Sequence, residues 1–236
     1  MIGRKLMFAS AMMAAGLGQP AQAAEPVAVV ELFTSQGCSS CPPADALLGE
    51  LAKRDDVIAL SLHVDYWDYI GWKDSFASKE MTARQRSYAR SLRASGVYTP
   101  QAVVGGAAHA VGSDRAALTA LLAQAKRAAS LPLALERDGP NAILDLPAAA
   151  KPVAATVWLV EYDARHEVAI ARGENAGQKL AYHNVVRRLD KLGQWHGEAR
   201  RLTLPAATPG RSGAVVLVQA GDTGPILGAI RIDVGS

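Results

Sequence analysis

The amino-acid sequence predicts an α/β fold in two parts, in which an N-terminal α/β domain precedes a mostly β, sandwich-like C-terminal domain. Two observations support this division. Up to about residue 130, short apolar runs typical of strands alternate with segments whose apolar residues recur at helical spacing. From Leu131 onward, short β-rich runs are separated by Gly, Pro and Asn. We therefore place one domain at residues 24–130 and the other at residues 131–236.

The first residues have the layout of a cleavable secretory signal. Two basic residues precede an apolar stretch at residues 6–17, and small residues follow at positions 21–23. The apolar stretch is shorter than the roughly 20 residues that a membrane span requires. We expect residues 1–23 to be a signal peptide and the mature chain to be periplasmic or secreted, with no stable membrane insertion after cleavage. A retained anchor is the alternative.

The net charge gives no reason to expect nucleic acid or an anionic membrane as a partner. The formal charge of +3 includes Arg4 and Lys5, and subtracting these two leaves +1 for the mature chain. The chain contains 2 cysteines, and an oxidising compartment would allow them to form a disulfide. Both are therefore available to a single site.

The first elements of the N-terminal domain follow a strand and helix order. Residues 27–33 are short, apolar and β-branched, which is typical of a buried strand. Ala44, Leu47, Leu48 and Leu51 then fall at i, i+3, i+4 and i+7 and predict an amphipathic helix. A second strand is predicted at residues 57–64. A helix at residues 78–93 follows, whose arginines we expect to form a solvated face.

The rest of this domain reads as a hairpin and a final helix. Residues 98–104 and 107–111 have strand character and are separated by Gly105-Gly106, a two-residue turn. Ser113 can cap a helix whose apolar stripe continues to Ala125. The predicted order is β-α-β-α-β-β-α.

The cysteines, Cys38 and Cys41, lie between the first strand and the first helix. Two thiols at this spacing can close a small disulfide ring, and a helix N-terminus nearby favours the nucleophilic thiolate. Pro42 and Pro43 follow directly and lack the N–H groups of a regular first turn. We therefore expect the helix to begin at Pro42 and the cysteines to occupy a preceding turn.

The cysteine pair after the first long strand and Thr99-Pro100 before a hairpin resemble the thioredoxin superfamily. The resemblance implies a thioredoxin-like N-terminal domain in which Pro100, preceded by a cis peptide bond, packs against the dithiol. It also implies that Glu31, a charged residue in an apolar strand, is the buried acid that accepts the proton of Cys41. A solvent-exposed carboxylate at the strand end is the alternative for Glu31.

The chain as a whole resembles an exported, mainly bacterial family recorded as a domain of unknown function with a thioredoxin-like fold. The matching segments are residues 31–45, 63–67, 98–101 and 173–184. They fall in both predicted domains. This resemblance implies a fold but no established reaction.

These residues together predict an exported thiol–disulfide oxidoreductase that needs no cofactor. Cys38 would attack and Cys41 would resolve the mixed disulfide. Tyr98, Thr99 and Trp67 would contact the substrate, although aromatic residues more often serve core packing. The expected partners are cysteine-containing exported proteins and an unidentified redox partner.

Three alternatives remain open from the sequence. The two thiolates could hold a soft ion such as Cu(I), with His63 as a further ligand. The disulfide could be a permanent structural clasp. The protein could also be a non-catalytic adaptor that presents its β-rich domain to a partner.

Overall fold

The computed structural model describes residues 26–138 and 141–232, so the predicted signal peptide, residues 1–23, lies outside the described residues. Within these ranges the chain forms eleven strands, three α-helices and a 3₁₀ turn at Asp68–Ile70. The helices are α1 (Pro42–Leu51), α2 (Lys79–Ser91) and α3 (Arg115–Ala128). The strands are β1 (Ala28–Thr34), β2 (Val57–His63), β3 (Gln101–Val104), β4 (Ala108–Val111), β5 (Ala134–Asp138), β6 (Asn141–Leu146), β7 (Ala155–Ala169), β8 (Lys179–Trp195), β9 (Arg200–Thr203), β10 (Gly213–Ala220) and β11 (Ile226–Ile232).

Eight of these strands form one mixed sheet in the order β11-β10-β7-β8-β2-β1-β3-β4. Strand β1 is parallel to β2 and antiparallel to β3, which forms a hairpin with β4. On the other side, β8 lies parallel to β2 and antiparallel to β7. The mixed α/β class predicted from the sequence is confirmed. The sheet continues across residue 131, so strands from both predicted parts share it.

The helices cover both faces of the N-terminal part of the sheet. Side chains alternate along β1, so each face presents apolar residues to the helices that pack on it. Val30 and Leu32 pack with the apolar stripes of α1 and α3. Val29 and Phe33 point to the other face and pack with α2. The core on the α2 face also includes side chains from β7, β8, β10 and β11. This shared core joins the two ends of the chain.

A second sheet, β5-β6-β9, covers the C-terminal part of the large sheet. Leu144 of β6 packs against Leu159 of β7 and Val216 of β10, with Trp195 buried at the end of β8. The β-rich region is therefore layered, and one of its layers belongs to the large sheet. No helix within residues 26–138 and 141–232 has the length and apolar character that crossing a membrane requires.

Most element boundaries in the first 130 residues agree with the sequence pattern, and two details differ. Helix α1 begins at Pro42 as expected. Helix α3 is capped by Asp114, which accepts a hydrogen bond from the Ala117 N–H, and not by Ser113. Arg84 of α2 is buried, whereas a solvated face was expected for the arginines of this helix. Beyond residue 130, β7 is longer than the short run predicted there, with 15 residues, and β8, with 17 residues, was not predicted.

Candidate functional site

A disulfide joins Cys38 and Cys41 at the N-terminus of α1, with a Cα–Cα distance of 5.4 Å. The chain leaves β1 at Thr34 and turns back so that the Cys38 N–H donates to the Ser35 carbonyl. Cys41 is the N-cap of α1, and its carbonyl accepts hydrogen bonds from the N–H groups of Ala44 and Asp45. Pro42 and Pro43 occupy the positions where a missing N–H costs no helical hydrogen bond. Both cysteines have 0% exposed surface.

The Thr99–Pro100 segment lies across from the cysteine turn. Its peptide bond is cis, as the resemblance implied. The Ser40 hydroxyl lies 3.4 Å from Cys38 Sγ and donates to the Thr99 carbonyl over 3.5 Å. The Trp67 indole N–H donates to Thr99 Oγ1 over 2.7 Å. The fold thus brings Thr99 to the serine beside Cys38 and Trp67 to Thr99, and Pro100 follows Thr99 in the same segment.

The remaining predicted contact residue, Tyr98, has a different hydrogen-bond partner. Its hydroxyl lies 2.9 Å from Nδ1 of His109, on the neighbouring strand β4. The ring is partly buried, and burial raises the pKa of its hydroxyl. Tyr98 therefore stabilises the hairpin next to Pro100, and its side chain is partly occupied by that contact.

Glu31 is buried, but its partners lie on the face of the sheet opposite to α1. Its carboxylate accepts hydrogen bonds from Arg84 Nε over 2.6 Å and from the Tyr88 hydroxyl, both on α2. Glu31 alternates in step with Val29 and Phe33, which also face α2. Because Cys41 caps α1, this placement corrects the assignment of Glu31 as the acid beneath the dithiol.

Asp45 is a buried acid on the cysteine side of the sheet. It lies in the first turn of α1, and its side chain is 4% exposed. Within the described chain, neither of its carboxylate oxygens has a hydrogen-bond partner. Burial raises the pKa of Asp45 well above its usual range; the nearby Thr34 hydroxyl partly opposes this, and the charge of Asp74 adds to it. The sequence signal was available, since Asp45 interrupts the buried side of an otherwise apolar helix.

Asp45 lines a groove of about 330 Å³ between α1 and β8. His183 of β8 forms the opposite wall, and Lys53 and Lys179 stand along it. Burial, together with the charges of Arg165 and Lys53, lowers the pKa of His183. The groove is close-fitting because α1 carries Gly49 there, where an added Cβ would lie 2.6 Å from His183 Nδ1. The groove lies along the side of α1 that carries Asp45, and the carboxylate oxygens of Asp45 are buried beneath it.

A buried Asp–His pair supports the turn from the side of β2. Asp74 Oδ2 lies 2.7 Å from His63 Nδ1 and accepts the Gln36 N–H over 2.8 Å. Burial alone would raise the pKa of Asp74, but the His63 charge and the hydrogen bonds from His63, Gln36 and Phe76 hold it below its usual range. His63, the third ligand considered for copper, thus has a structural partner. No group of three or more His, Cys, Asp or Glu side chains suited to a metal ion occurs within residues 26–138 and 141–232.

The turn connecting β7 and β8 reaches the cysteine turn from the C-terminal part of the chain. Asn175 is buried, and its amide donates to the carbonyls of Gln36 and Cys38 over 2.9 and 3.0 Å. Glu174 accepts the Ser39 N–H over 3.2 Å, and its hydrogen bonds with Ser39 lower the pKa of the Glu174 carboxylate. Sequence reasoning noted residues 173–184 as part of the family resemblance but assigned them no role at the cysteines.

Comparison with known proteins places the chain in a family. No curated protein matches it. A crystal structure of an Agrobacterium tumefaciens protein, determined by a structural genomics consortium, is 37% identical, with a TM-score of 0.79 over 91% of this chain and 97% of that one. HBP35 of Porphyromonas gingivalis is similar in fold alone, with 13% identity and a TM-score of 0.56 over 88% of this chain and 75% of that one. The family described as "Protein of unknown function (DUF1223)" matches residues 29–219, and the chain therefore belongs to that family.

Proposed function

We propose that the protein is an exported thiol–disulfide oxidoreductase that acts through Cys38 and Cys41 on cysteines of exported proteins. One observation carries the proposal: the disulfide stands at the N-terminus of α1, across from Thr99 and the cis-bonded Pro100. A dithiol in this position can exchange with a disulfide of another protein. A purely structural clasp needs neither the helix terminus nor the neighbouring proline segment.

The scaffold around the disulfide supports a thioredoxin-like N-terminal domain. The strand order β2-β1-β3-β4, in which β3 runs opposite to the other three strands, is the order expected for that superfamily. Helices α1 and α3 on one face and α2 on the other agree with the same arrangement. Export is supported by the predicted signal peptide at residues 1–23. In an oxidising compartment outside the cytosol, the dithiol would meet partners able to oxidise it.

The proposed reaction has two steps that conserve atoms and electrons. In the reduced protein, the Cys38 thiolate attacks a partner disulfide, and a mixed disulfide forms as one partner sulfur leaves. Cys41 then loses its proton and attacks Cys38, which closes the intramolecular disulfide and releases the second partner sulfur as a thiol. The partner gains two electrons and the protein loses them. The reverse sequence oxidises a partner.

Asp45 is the group suited to take the proton of Cys41. Its N–H is bonded to the Cys41 carbonyl, so both residues belong to the same helical turn. Because burial raises its pKa, Asp45 takes up and releases its proton at a higher pH than an exposed carboxylate does. The groove along α1 gives this proton a route to solvent.

The proposal is tested by exchange with a disulfide-bonded peptide, using the wild-type protein, Cys38→Ala and Cys41→Ala. We expect Cys38→Ala to lose exchange and Cys41→Ala to accumulate a mixed disulfide that mass spectrometry detects. Ser39→Ala, a change at an exposed position of the same turn, is the matched control. Full exchange by Cys38→Ala would defeat the assignment.

The reduction potential then decides the direction of electron flow. A reversible couple at about −120 to −180 mV indicates an oxidant or isomerase, and one at about −270 mV indicates a reductant. A pair that stays oxidised below about −300 mV would instead mean a structural clasp and would reject the proposal.

A further inference from the structure

The tip of the β7–β8 hairpin, residues 170–178, is fastened to the cysteine turn by side chains far away in sequence. Asn175 is separated from Cys38 by 137 residues and from Gln36 by 139. Its side chain is 1% exposed, and one amide group serves both carbonyls. Gly173 and Gly177 flank it with φ values of 78° and 81°, a backbone conformation that glycine adopts readily and that turns the tip inward.

The cysteine turn is also held by contacts from its own side of the molecule. Ile70 and Trp67 approach Gly37 so closely that an added Cβ would lie 3.2 to 3.3 Å from them. Ser39 and Ser40 are exposed, but the two sulfurs beside them are not. An attacking thiolate must approach a sulfur along the S–S bond, so a disulfide without exposed surface cannot react in this conformation.

We propose that Asn175 is a positioning residue that tethers the cysteine turn and keeps Cys38 below the surface, so that the disulfide reacts only after the hairpin tip is released. Releasing Asn175 returns the carbonyls of Gln36 and Cys38 to water and lets the 36–40 backbone move outward. A partner that competes for these carbonyls would open the site, whereas small thiols must wait for spontaneous opening. This inference goes beyond the proposed function, because it concerns access to the disulfide by any thiol.

The test follows reduction of the disulfide by dithiothreitol. One dithiothreitol thiolate attacks a cysteine sulfur and displaces the other as a thiolate, which takes up a proton. The second dithiothreitol thiol then closes its own ring and releases the attacked cysteine as a thiol. Two electrons pass from dithiothreitol to the protein. Trapping with iodoacetamide and mass spectrometry gives the rate constant.

We expect Asn175→Ala to be reduced about tenfold to thirtyfold faster than the wild-type protein, as the loss of two neutral amide hydrogen bonds implies. Glu174→Gln keeps Asn175 in place and weakens only the contact with the Ser39 N–H. Because Glu174 is exposed, this variant should fold, and we expect a rise of about twofold to fivefold. Amide hydrogen exchange at Ser39 should increase in both variants.

Asn184→Gly is the matched control. Asn184, on β8, donates to the Ala59 carbonyl over 2.9 Å, and its φ of 47° suits glycine. The control loses an amide–carbonyl bond between the two parts of the chain without touching the cysteine turn. The proposal is overturned if Asn175→Ala and Glu174→Gln are both reduced at the wild-type rate. It is also overturned if Asn184→Gly is accelerated as much as Asn175→Ala, because lower overall stability would then explain the effect.

The outcome is independent of peptide exchange. If the variants are reduced faster by dithiothreitol but the wild-type protein never exchanges with the peptide, the oxidoreductase proposal is rejected and the tether proposal stands. If the wild-type protein exchanges rapidly with the peptide but both variants are reduced by dithiothreitol at the wild-type rate, the tether proposal is rejected and the oxidoreductase proposal stands.

Discussion

Replacing Asp45 with asparagine should change the pH dependence of stability in a defined direction. The carboxyl group of Asp45 is buried without a hydrogen-bond partner for either oxygen, and burial is the main cause of its raised pKa. Between the unfolded pKa, about 3.8, and the higher folded pKa, the folded state holds a proton that the unfolded state has released. The titration of Asp45 therefore lowers the stability of the wild-type protein as pH rises through this window.

The magnitude follows from linkage. One proton bound only by the folded state lowers the free energy of unfolding by about 1.4 kcal/mol for each pH unit inside the window. Asparagine does not titrate, so the unfolding free energy of Asp45→Asn does not fall with pH on account of this position. The difference in unfolding free energy, variant minus wild type, should rise with that slope from about pH 4 and become constant above the folded pKa.

Urea unfolding of the oxidised proteins, followed by tryptophan fluorescence at several pH values, measures this difference directly. Other titrating groups contribute equally to both proteins and cancel. Asp55→Asn, which removes an exposed carboxylate, controls for the change in net charge. A difference that stays flat from about pH 4 to pH 7 would refute the reasoning, because Asp45 would then be ionised alike in both states.

Two further variants test the packing around the site, both by urea unfolding. Gly49→Ala should destabilise the protein by about 1 to 3 kcal/mol, because the added Cβ would lie 2.6 Å from the His183 ring. The control Gly96→Ala, at a position where nothing lies within 4 Å, should be neutral or slightly stabilising. Equal losses of stability in the two variants would contradict the close fit at Gly49. Arg84→Met leaves Glu31 buried without its cationic partner and should cost about 3 to 5 kcal/mol, whereas adding Glu31→Leu should recover much of the loss.

The regular elements of the first 130 residues could be predicted because their signals are local. The apolar stripe through Leu47 and Leu51 defines α1, and the pair Gly105-Gly106 marks the turn between β3 and β4. The cysteine turn before Pro42 was predictable for the same reason, since proline restricts the first helical positions. These features need only neighbouring residues to specify them.

The partners of buried charges could not be predicted, because they depend on which face of the sheet each element covers. Glu31 and Asp45 are both acids near the cysteines in sequence, and only the placement of α1 and α2 on opposite faces separates them. Arg84 reads as one of several exposed arginines on a basic helix until Glu31 is placed beneath it. Strand β8 was missed because its charged residues hide the alternation that its pairing with β7 requires.

The distance in sequence between Cys38 and Asn175 has a consequence for how the molecule is assembled. Cys38 is synthesised 137 residues before Asn175, whose amide fastens the cysteine turn. Throughout that interval the cysteine turn lacks the two hydrogen bonds that the Asn175 amide later donates to it. Under the tether proposed above, a disulfide formed in that interval meets no restraint from Asn175. Docking of the hairpin tip then preserves the oxidation state that the two cysteines have already reached.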